Sequence, residues 1–315
     1  GNNVSDEEMQ YAISEGVLVS VDSISQLERY GRLAPGSRVA IRFNPGVGAG
    51  HHEKVVTAGK KTKFGVDPVF IPQVKEILEK FKLTLAGINQ HIGSLFMTGD
   101  AFVKSLDSLF EIAKQFPGLE FIDMGGGFGI PYKKEDGEAP LDLQELGGKI
   151  DEALFQFTKE YGRQITFRIE PGRYISAECG VLLSGVHSIK FNYNNKYVGC
   201  DTGFNVLSRP ILYDSYHGVE IYRGNDTPSL QEETVTIVGN ICESGDILAK
   251  DRLLPEIQEG DILGILDAGA YGYVMSSNYN NRLRPAEILI RENGDVVVIR
   301  ERETLEDLKN HLVLL

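Results

Sequence analysis

The strongest constraint on the fold is an alternation that runs through the first half of the chain. Short apolar runs are each followed by a helical pattern. VLVSVDS, RVAIRFNP, LAGINQHIG, LEFIDMGGG and ITFRIEPG read as strands. SISQLERYGRLA, FIPQVKEILEKF, AFVKSLDSLFEIAKQF and LGGKIDEALFQFTKEYG read as helices, the second with its apolar residues near the 3.6 period. Strands alternating with helices predict parallel βα units. Near residue 176 the pattern changes to LLSGVHSIKF, KYVGCDTG, VEIYRG, TVTIVGNIC, DILGILDAGAYGYV and EILIRENGDVVVIRE, all strand-like. The Asn-Gly in the last of these is the signature of a tight hairpin, and TLEDLKNHL is expected to close the chain as a helix. The expected division is a βα portion over 1–176 and a mostly β portion over 177–315.

Five strands of this kind are too few to close a barrel. A (β/α)8 barrel has eight strands in about 250 residues, or roughly 30 per unit. If the parent fold is such a barrel, about three units, or roughly 90 residues, precede Gly1. The first residues agree, since the chain begins with Gly1 and runs straight into SDEEMQYAISEG, a helix pattern with a Ser cap and early acids. The chain is therefore expected to be part of a longer protein.

The totals narrow the function classes. A net charge of −13 disfavours nucleic acid or an anionic membrane as partner. No run of about 18 apolar residues is present, so no membrane span is expected. The three cysteines, Cys179, Cys200 and Cys242, lack C-x-x-C spacing and read as free thiols in a reducing cytoplasm, with no zinc site. His51 and His52 are adjacent in a Gly-, Lys- and His-rich loop, where their side chains would diverge.

Several short segments are candidates for chemistry. In MGGGFG (124–129) glycines follow a strand, where bare backbone lets an anion approach main-chain N–H groups, and a phosphate is the natural ligand. Neither the dinucleotide fingerprint nor a P-loop is met, because Ile130 stands at the last glycine position and no Gly-Lys-Ser/Thr follows. A flexible loop is the alternative. EPGR (170–173) holds Glu170 and Arg173 at a strand end, either as a local ion pair or as a carboxylate and guanidinium for a ligand. HIGS (91–94) puts His91 and Ser94 at another strand end. CESGD (242–246) sets a thiol beside a carboxylate, RPILYDSYH (209–217) offers Arg209 and Tyr213, and DAGAYG brings Tyr271 into a Gly-Ala turn.

Separately these segments are weak, but their order is specific. RFNPGVGAGHH, TKFG, HIGS, DMGGGFGIPY, EPGRYI, GFNVLSRPILYDSYH, CESGD and AGAYGYVMSSNYNNRLRPAEIL together resemble the fold-type III pyridoxal-phosphate decarboxylases, over about residues 38–288. CESGD and the SSNYN-R-RP-AE ending favour the diaminopimelate members over the ornithine members. The resemblance implies a (β/α)8 TIM-type barrel plus a C-terminal mostly-β domain, with pyridoxal 5'-phosphate as cofactor. It implies decarboxylation of meso-2,6-diaminopimelate to L-lysine, in lysine biosynthesis, by a cytoplasmic homodimer with active sites shared across the interface. The alternatives are an ornithine-, lysine- or arginine-type decarboxylase of the same fold, or an inactive regulatory relative.

The resemblance also implies roles. The amides of Gly125, Gly126 and Gly127 would cradle the cofactor phosphate, with Ser94 and Tyr271 assisting there or at the adjoining substrate pocket. His91 would stack on the pyridine ring and Glu170 would pair with its nitrogen. Arg173, Arg209 and Tyr213 would hold substrate carboxylates. Cys242 would be the proton donor in the neighbouring subunit's site, and Glu243 would meet the substrate's distal ammonium there. One element departs from the pattern. The family's Schiff-base lysine sits in a Tyr-x-x-Lys-Ala-Asn-like motif, which is absent here, and Lys63 in TKFG belongs to a different family segment.

Overall fold

The computed structural model describes residues 2–46, 49–50, 58–59, 62–224 and 231–313. The chain forms two compact units, one of Gly1–Pro131 with Pro140–Tyr174 and the other of Tyr132–Ala139 with Ile175–Leu315.

The first unit is built on one parallel sheet. Its strands are β1 (Ser20–Val21), β2 (Arg38–Arg42), β3 (Thr84–Asn89), β4 (Phe121–Gly126) and β5 (Thr166–Glu170). They lie side by side in chain order, and every neighbouring pair is parallel. A doubly wound sheet reverses its order at a switch point, whereas a barrel does not. This is the order of a (β/α)8 barrel, with five such strands among the described residues. Residues Ala49–Gly50 and Gly93–Ser94 form a separate two-residue parallel pair.

Each helix follows from local sequence. Helix α1 (Asp6–Ser14) starts with a capping box, Ser5 accepting from the Glu8 N–H while Glu8 accepts from the Ser5 N–H. Helix α2 (Ile24–Leu33) buries Leu27, Tyr30 and Gly31, and α3 (Ile71–Phe81) buries Ile71, Val74 and Ile77. Gly31 is small for a packing reason, since a Cβ there would come 2.4 Å from the Phe81 ring. Helix α4 (Asp100–Ala113) meets α5 (Leu143–Tyr161), which Asp142 caps at its start and Gly162, at φ 74°, terminates. Phe110 of α4 stacks on Phe157 of α5 with ring centroids 4.3 Å apart.

After a short helix α6 (Gly172–Ser176), the second unit forms six strands: β6 (Leu182–Asn192), β7 (Asn195–Cys200), β8 (Val219–Tyr222), β9 (Glu232–Val238), β10 (Ile247–Pro255) and β11 (Ile262–Ile265). Their order is β8-β11-β6-β7-β9-β10, antiparallel except for β7 with β9. Helix α7 (Arg209–Tyr213) follows β7 in the chain. A hairpin of β12 (Glu287–Ile290) and β13 (Val296–Arg300) stands apart from the six. Its turn has Gly294 at φ 86°, and the Gly294 N–H donates to the Arg291 carbonyl.

Three expectations need correction. The terminal helix over TLEDLKNHL is a single 3₁₀ turn at Asp307–Lys309. Leu305 and Leu312 are exposed, and a helix this short with no face to bury is marginal in water. Strand β10 was not anticipated, because bulges break its alternation and Asp251 has a positive φ of 49°. The first apolar run forms only the two residues of β1. His51 and His52 lie outside the described residues. Among the described residues no helix is long and apolar enough to cross a membrane.

Phe157→Ala should destabilise the first unit by about 3–4 kcal/mol, the usual result of emptying a buried aromatic site. Urea unfolding measures this, and a loss below about 1 kcal/mol would contradict the packing described.

Candidate active site

Residues 125–127 are glycines because two neighbouring pieces of chain, the segment after β3 and the end of β5, press on them. A Cβ on Gly125 would lie 2.3 Å from the Gln90 carbonyl oxygen, and one on Gly126 would lie 2.0 Å from the Glu170 carbonyl oxygen. One on Gly127 would lie 2.6 Å from the Gly93 carbonyl oxygen. Gly125 and Gly127 also have φ of +80° and +107°, where side chains are strained. The bare backbone thus lets the ends of β3, β4 and β5 converge. That convergence brings together His91, Ser94, Glu170 and Arg173, all drawn from those strand ends or the residues just after them.

The amides of this turn are partly committed. Gly125 N–H donates to Asp123 Oδ1 at 2.9 Å, and Gly126 N–H donates to His91 Nδ1 at 3.2 Å. A phosphate at this turn would therefore share or displace those bonds at Gly125 and Gly126. Arg173 is buried and donates from Nε and Nη2 to Ser94 Oγ at 3.3 and 2.8 Å.

Glu170 Oε2 stands 3.7 Å from His91 Nδ1. His91 foremost, and Arg42 more weakly, hold the Glu170 carboxyl below its usual range, while burial opposes them. Burial pushes Asp123 the other way, upward, with Glu170 adding to the rise and the Gly125 amide opposing it. Two neighbouring carboxyls are thus driven apart, and Glu170 is the one held charged. Arg42, at the end of β2, has a buried Nη2 with no hydrogen-bond partner and couples to both Asp22 and Glu170. Asp123 and Arg42 had no role in the sequence reading. Asp123 was legible in DMGGG as the one side chain that could satisfy an amide of the turn. Arg42 had no signal beyond its place at a strand end.

The residues fit pyridoxal phosphate. A carboxylate kept ionised beside an imidazole suits a protonated ring nitrogen, and a glycine turn with a nearby guanidinium suits an anion.

In the second unit the remaining candidates sit on α7 and on two loops. Arg209 opens α7 and is 1% exposed. Its guanidinium lies over the Tyr132 ring, 4.5 Å from the centroid. Tyr213 ends the same helix. Cys242 is exposed, its N–H donates to Asn280 Oδ1 at 2.7 Å, and it opens on a pocket with Asn240, Asn281 and Arg282. Asp246 closes the CESGD turn, and its buried carboxylate accepts from the N–H groups of Phe204 and Ile241 at 2.7 and 2.8 Å. Glu243 lies inside that turn, its carbonyl accepting from the Asp246 N–H at 3.0 Å. Tyr271, at φ 58°, follows Gly269, where a Cβ would lie 2.0 Å from the Ser176 carbonyl oxygen. Lys134 Nζ meets the buried Asp267 at 3.0 Å and pins the start of that loop. Cys200 is buried, and burial pushes its thiol up to about 11, which leaves it inert.

The profile described as "Pyridoxal-dependent decarboxylase, pyridoxal binding domain" matches residues 1–177. The chain belongs to this family. It is 47% identical over 316 residues to the diaminopimelate decarboxylase of Methanothermobacter thermautotrophicus, spanning 98% of this chain and 72% of that one. Among solved structures it is similar to the diaminopimelate decarboxylase of M. jannaschii in co-complex with L-lysine, with a TM-score of 0.86 and 35% identity over 98% of this chain and 73% of that one. The Helicobacter pylori diaminopimelate decarboxylase complexed with L-lysine gives a TM-score of 0.87 at 31% identity, over 97% of this chain and 76% of that one. The match to the pyridoxal-dependent decarboxylase family ends one residue past α6, so it takes in every candidate residue of the first unit.

Two outcomes test this geometry. Gly126→Ala forces a Cβ onto backbone that cannot retreat, so the protein should lose its ordered strand ends, seen as a large drop in melting temperature; an unchanged melting temperature contradicts the close approach. The ionised Glu170 stabilises the fold above its unfolded pKa of about 4.3, and that contribution disappears as pH falls through its lowered folded value. Melting curves against pH should therefore fall less steeply for Glu170→Gln than for wild type in that acid window, and parallel curves would contradict the assignment.

Proposed function

We propose that this chain carries the cofactor- and substrate-binding residues of an enzyme that converts meso-2,6-diaminopimelate to L-lysine and CO2. The observation that carries the reading is the charged Glu170 set beside His91 at the glycine turn. Bound there, pyridoxal 5'-phosphate supplies an electron sink for the carbanion that remains when a carboxylate leaves as CO2. Glu170 keeps the ring nitrogen protonated by placing a negative charge beside it. His91 packs against the ring and, through the Gly126 amide, ties its position to the glycine turn. The turn at Gly125–Gly127, with Ser94 and Arg173, receives the phosphate.

Substrate is held by the second set. Arg173, Arg209 and Tyr213 take substrate carboxylates, and Tyr271 assists in binding substrate or cofactor. Two arginines suit a substrate with two carboxylates, each charge-assisted bond contributing about 1.5–3 kcal/mol. Cys242 Sγ–H delivers a proton to the α-carbon after CO2 departs, and Glu243 accepts from the distal ammonium. We propose that these two act in the partner's site of a cytoplasmic homodimer. The lysine that binds the cofactor covalently is proposed to lie outside residues 1–315, because none of them forms the family's lysine motif. The same absence favours the rival reading of a regulatory relative without activity. The intact set of Glu170, Cys242, Arg209 and Tyr271 favours the enzyme.

CO2 release by the holoenzyme should be seen with meso-diaminopimelate and not with ornithine, lysine or arginine. Cys242→Ala should lower kcat by about 100-fold or more, as loss of a proton donor does. Equal release from ornithine, or none from any substrate, would overturn the proposal. Borohydride reduction and peptide mapping should find the cofactor label on a lysine outside TKFG and outside every other lysine-bearing segment of residues 1–315.

A further inference from the structure

The sequence RPILYDSYH ends on His217, to which the proposed chemistry gives no task. The side chain is 1% exposed, as buried as Arg209. Its Nε2 lies 2.8 Å from Arg209 Nη1, and its Nδ1 lies 2.7 Å from the Leu266 carbonyl oxygen. Its ring meets the Tyr132 ring edge-on, with centroids 5.4 Å apart. Arg209 lies over the face of that same tyrosine.

These contacts allow one protonation state. A guanidinium has only donors, so Nε2 must accept and carries no proton. A carbonyl has only lone pairs, so Nδ1 must donate and carries the proton. The ring is therefore neutral and in a single tautomer. Protonating Nε2 would set an N–H against an N–H of a permanent cation. Charged groups near the ring come from two elements. From α7 it faces Arg209. From β10, Arg252 Nη2 donates to the His217 carbonyl at 3.1 Å and also reaches Glu135 Oε1 at 3.1 Å. Glu135 is thereby engaged by Arg252 and by the Tyr216 hydroxyl, while Lys133 sits over the Tyr216 ring.

We infer that His217 is a positioning residue: its bare Nε2 and the Tyr132 face together fix the Arg209 guanidinium in one orientation, so that protonation of His217 in acid weakens binding of a carboxylate substrate. The inference rests on the reading of Arg209 as a substrate ligand. It adds a specific orienter and a pH dependence that the reading does not contain.

The test uses the holoenzyme and two independent readouts. Ring ¹⁵N resonances of His217, assigned by their loss in His217→Gln, should show a protonated Nδ1 and a bare Nε2 at neutral pH; a proton on Nε2 overturns the inference. In kinetics with diaminopimelate, His217→Phe keeps the aromatic packing but has no acceptor. It should raise KM about 10-fold while kcat changes by less than about 3-fold. His217→Gln, whose Oε1 can accept from Arg209, should recover most of the loss and remove the rise of KM in acid shown by wild type. An unchanged KM in folded His217→Phe, alongside a raised KM in Arg209→Lys, overturns the inference. If Arg209→Lys itself leaves KM unchanged, the substrate reading of Arg209 fails, and the ring-nitrogen result alone decides whether His217 holds it.

Discussion

The structure of the first unit depends on the close approach of main chain at Gly125–Gly127. Three carbonyl oxygens, from Gln90, Gly93 and Glu170, occupy the space that side chains would need. Removing the side chains has a cost in backbone entropy, and the convergence of strand ends offsets it. The bare backbone lets the strand ends approach closely, which brings the side chains at those ends near one another. His91 and Glu170 face each other across the turn for this reason, and the field that holds Glu170 charged follows from the same geometry. A site built on three strand ends has little freedom to drift, which is what a cofactor ring with one acid partner requires.

The second unit reaches similar rigidity by another route, through buried carboxylates. Asp246 bonds two backbone amides from different segments and so ties the Cys242 turn to Phe204. Asp267, paired with Lys134, begins the Tyr271 loop, and Gly269 packs that loop on the Ser176 carbonyl. Such groups are costly to bury unless fully bonded. Once bonded they leave each loop a single arrangement, with Cys242 exposed at the end of one and Tyr271 at the end of the other.

Much of this architecture is legible in the amino-acid sequence. Repeated apolar runs and helical spacing marked all five parallel strands, and the Ser5 cap is a local sequence signal, whereas α5 begins at Leu143 behind the Asp142 cap, ahead of the expected LGGKIDEALFQFTKEYG run. His91, Ser94, Glu170 and Arg173 stood in recognisable short motifs, and the fold gathers them. What escaped was non-local. The glycine triplet pointed to an anion, whereas its immediate cause is neighbouring backbone, which no linear pattern displays. Arg42 and His217 matter through partners at a distance in the chain, Arg42 through Asp22 and Glu170 and His217 through Leu266 and Tyr132. Strand β10 was hidden by its bulges, and the final helix failed because propensity without a packed face does not hold a short helix.

The central claim is electrostatic: an ionised Glu170 sets the charge of the cofactor ring. It is tested most directly by ¹⁵N spectroscopy of the holoenzyme loaded with cofactor labelled at the pyridine nitrogen. The account predicts a protonated nitrogen in the wild-type protein and an unprotonated one in Glu170→Gln at the same pH. A nitrogen unprotonated in wild type, or protonated equally in both, would contradict it.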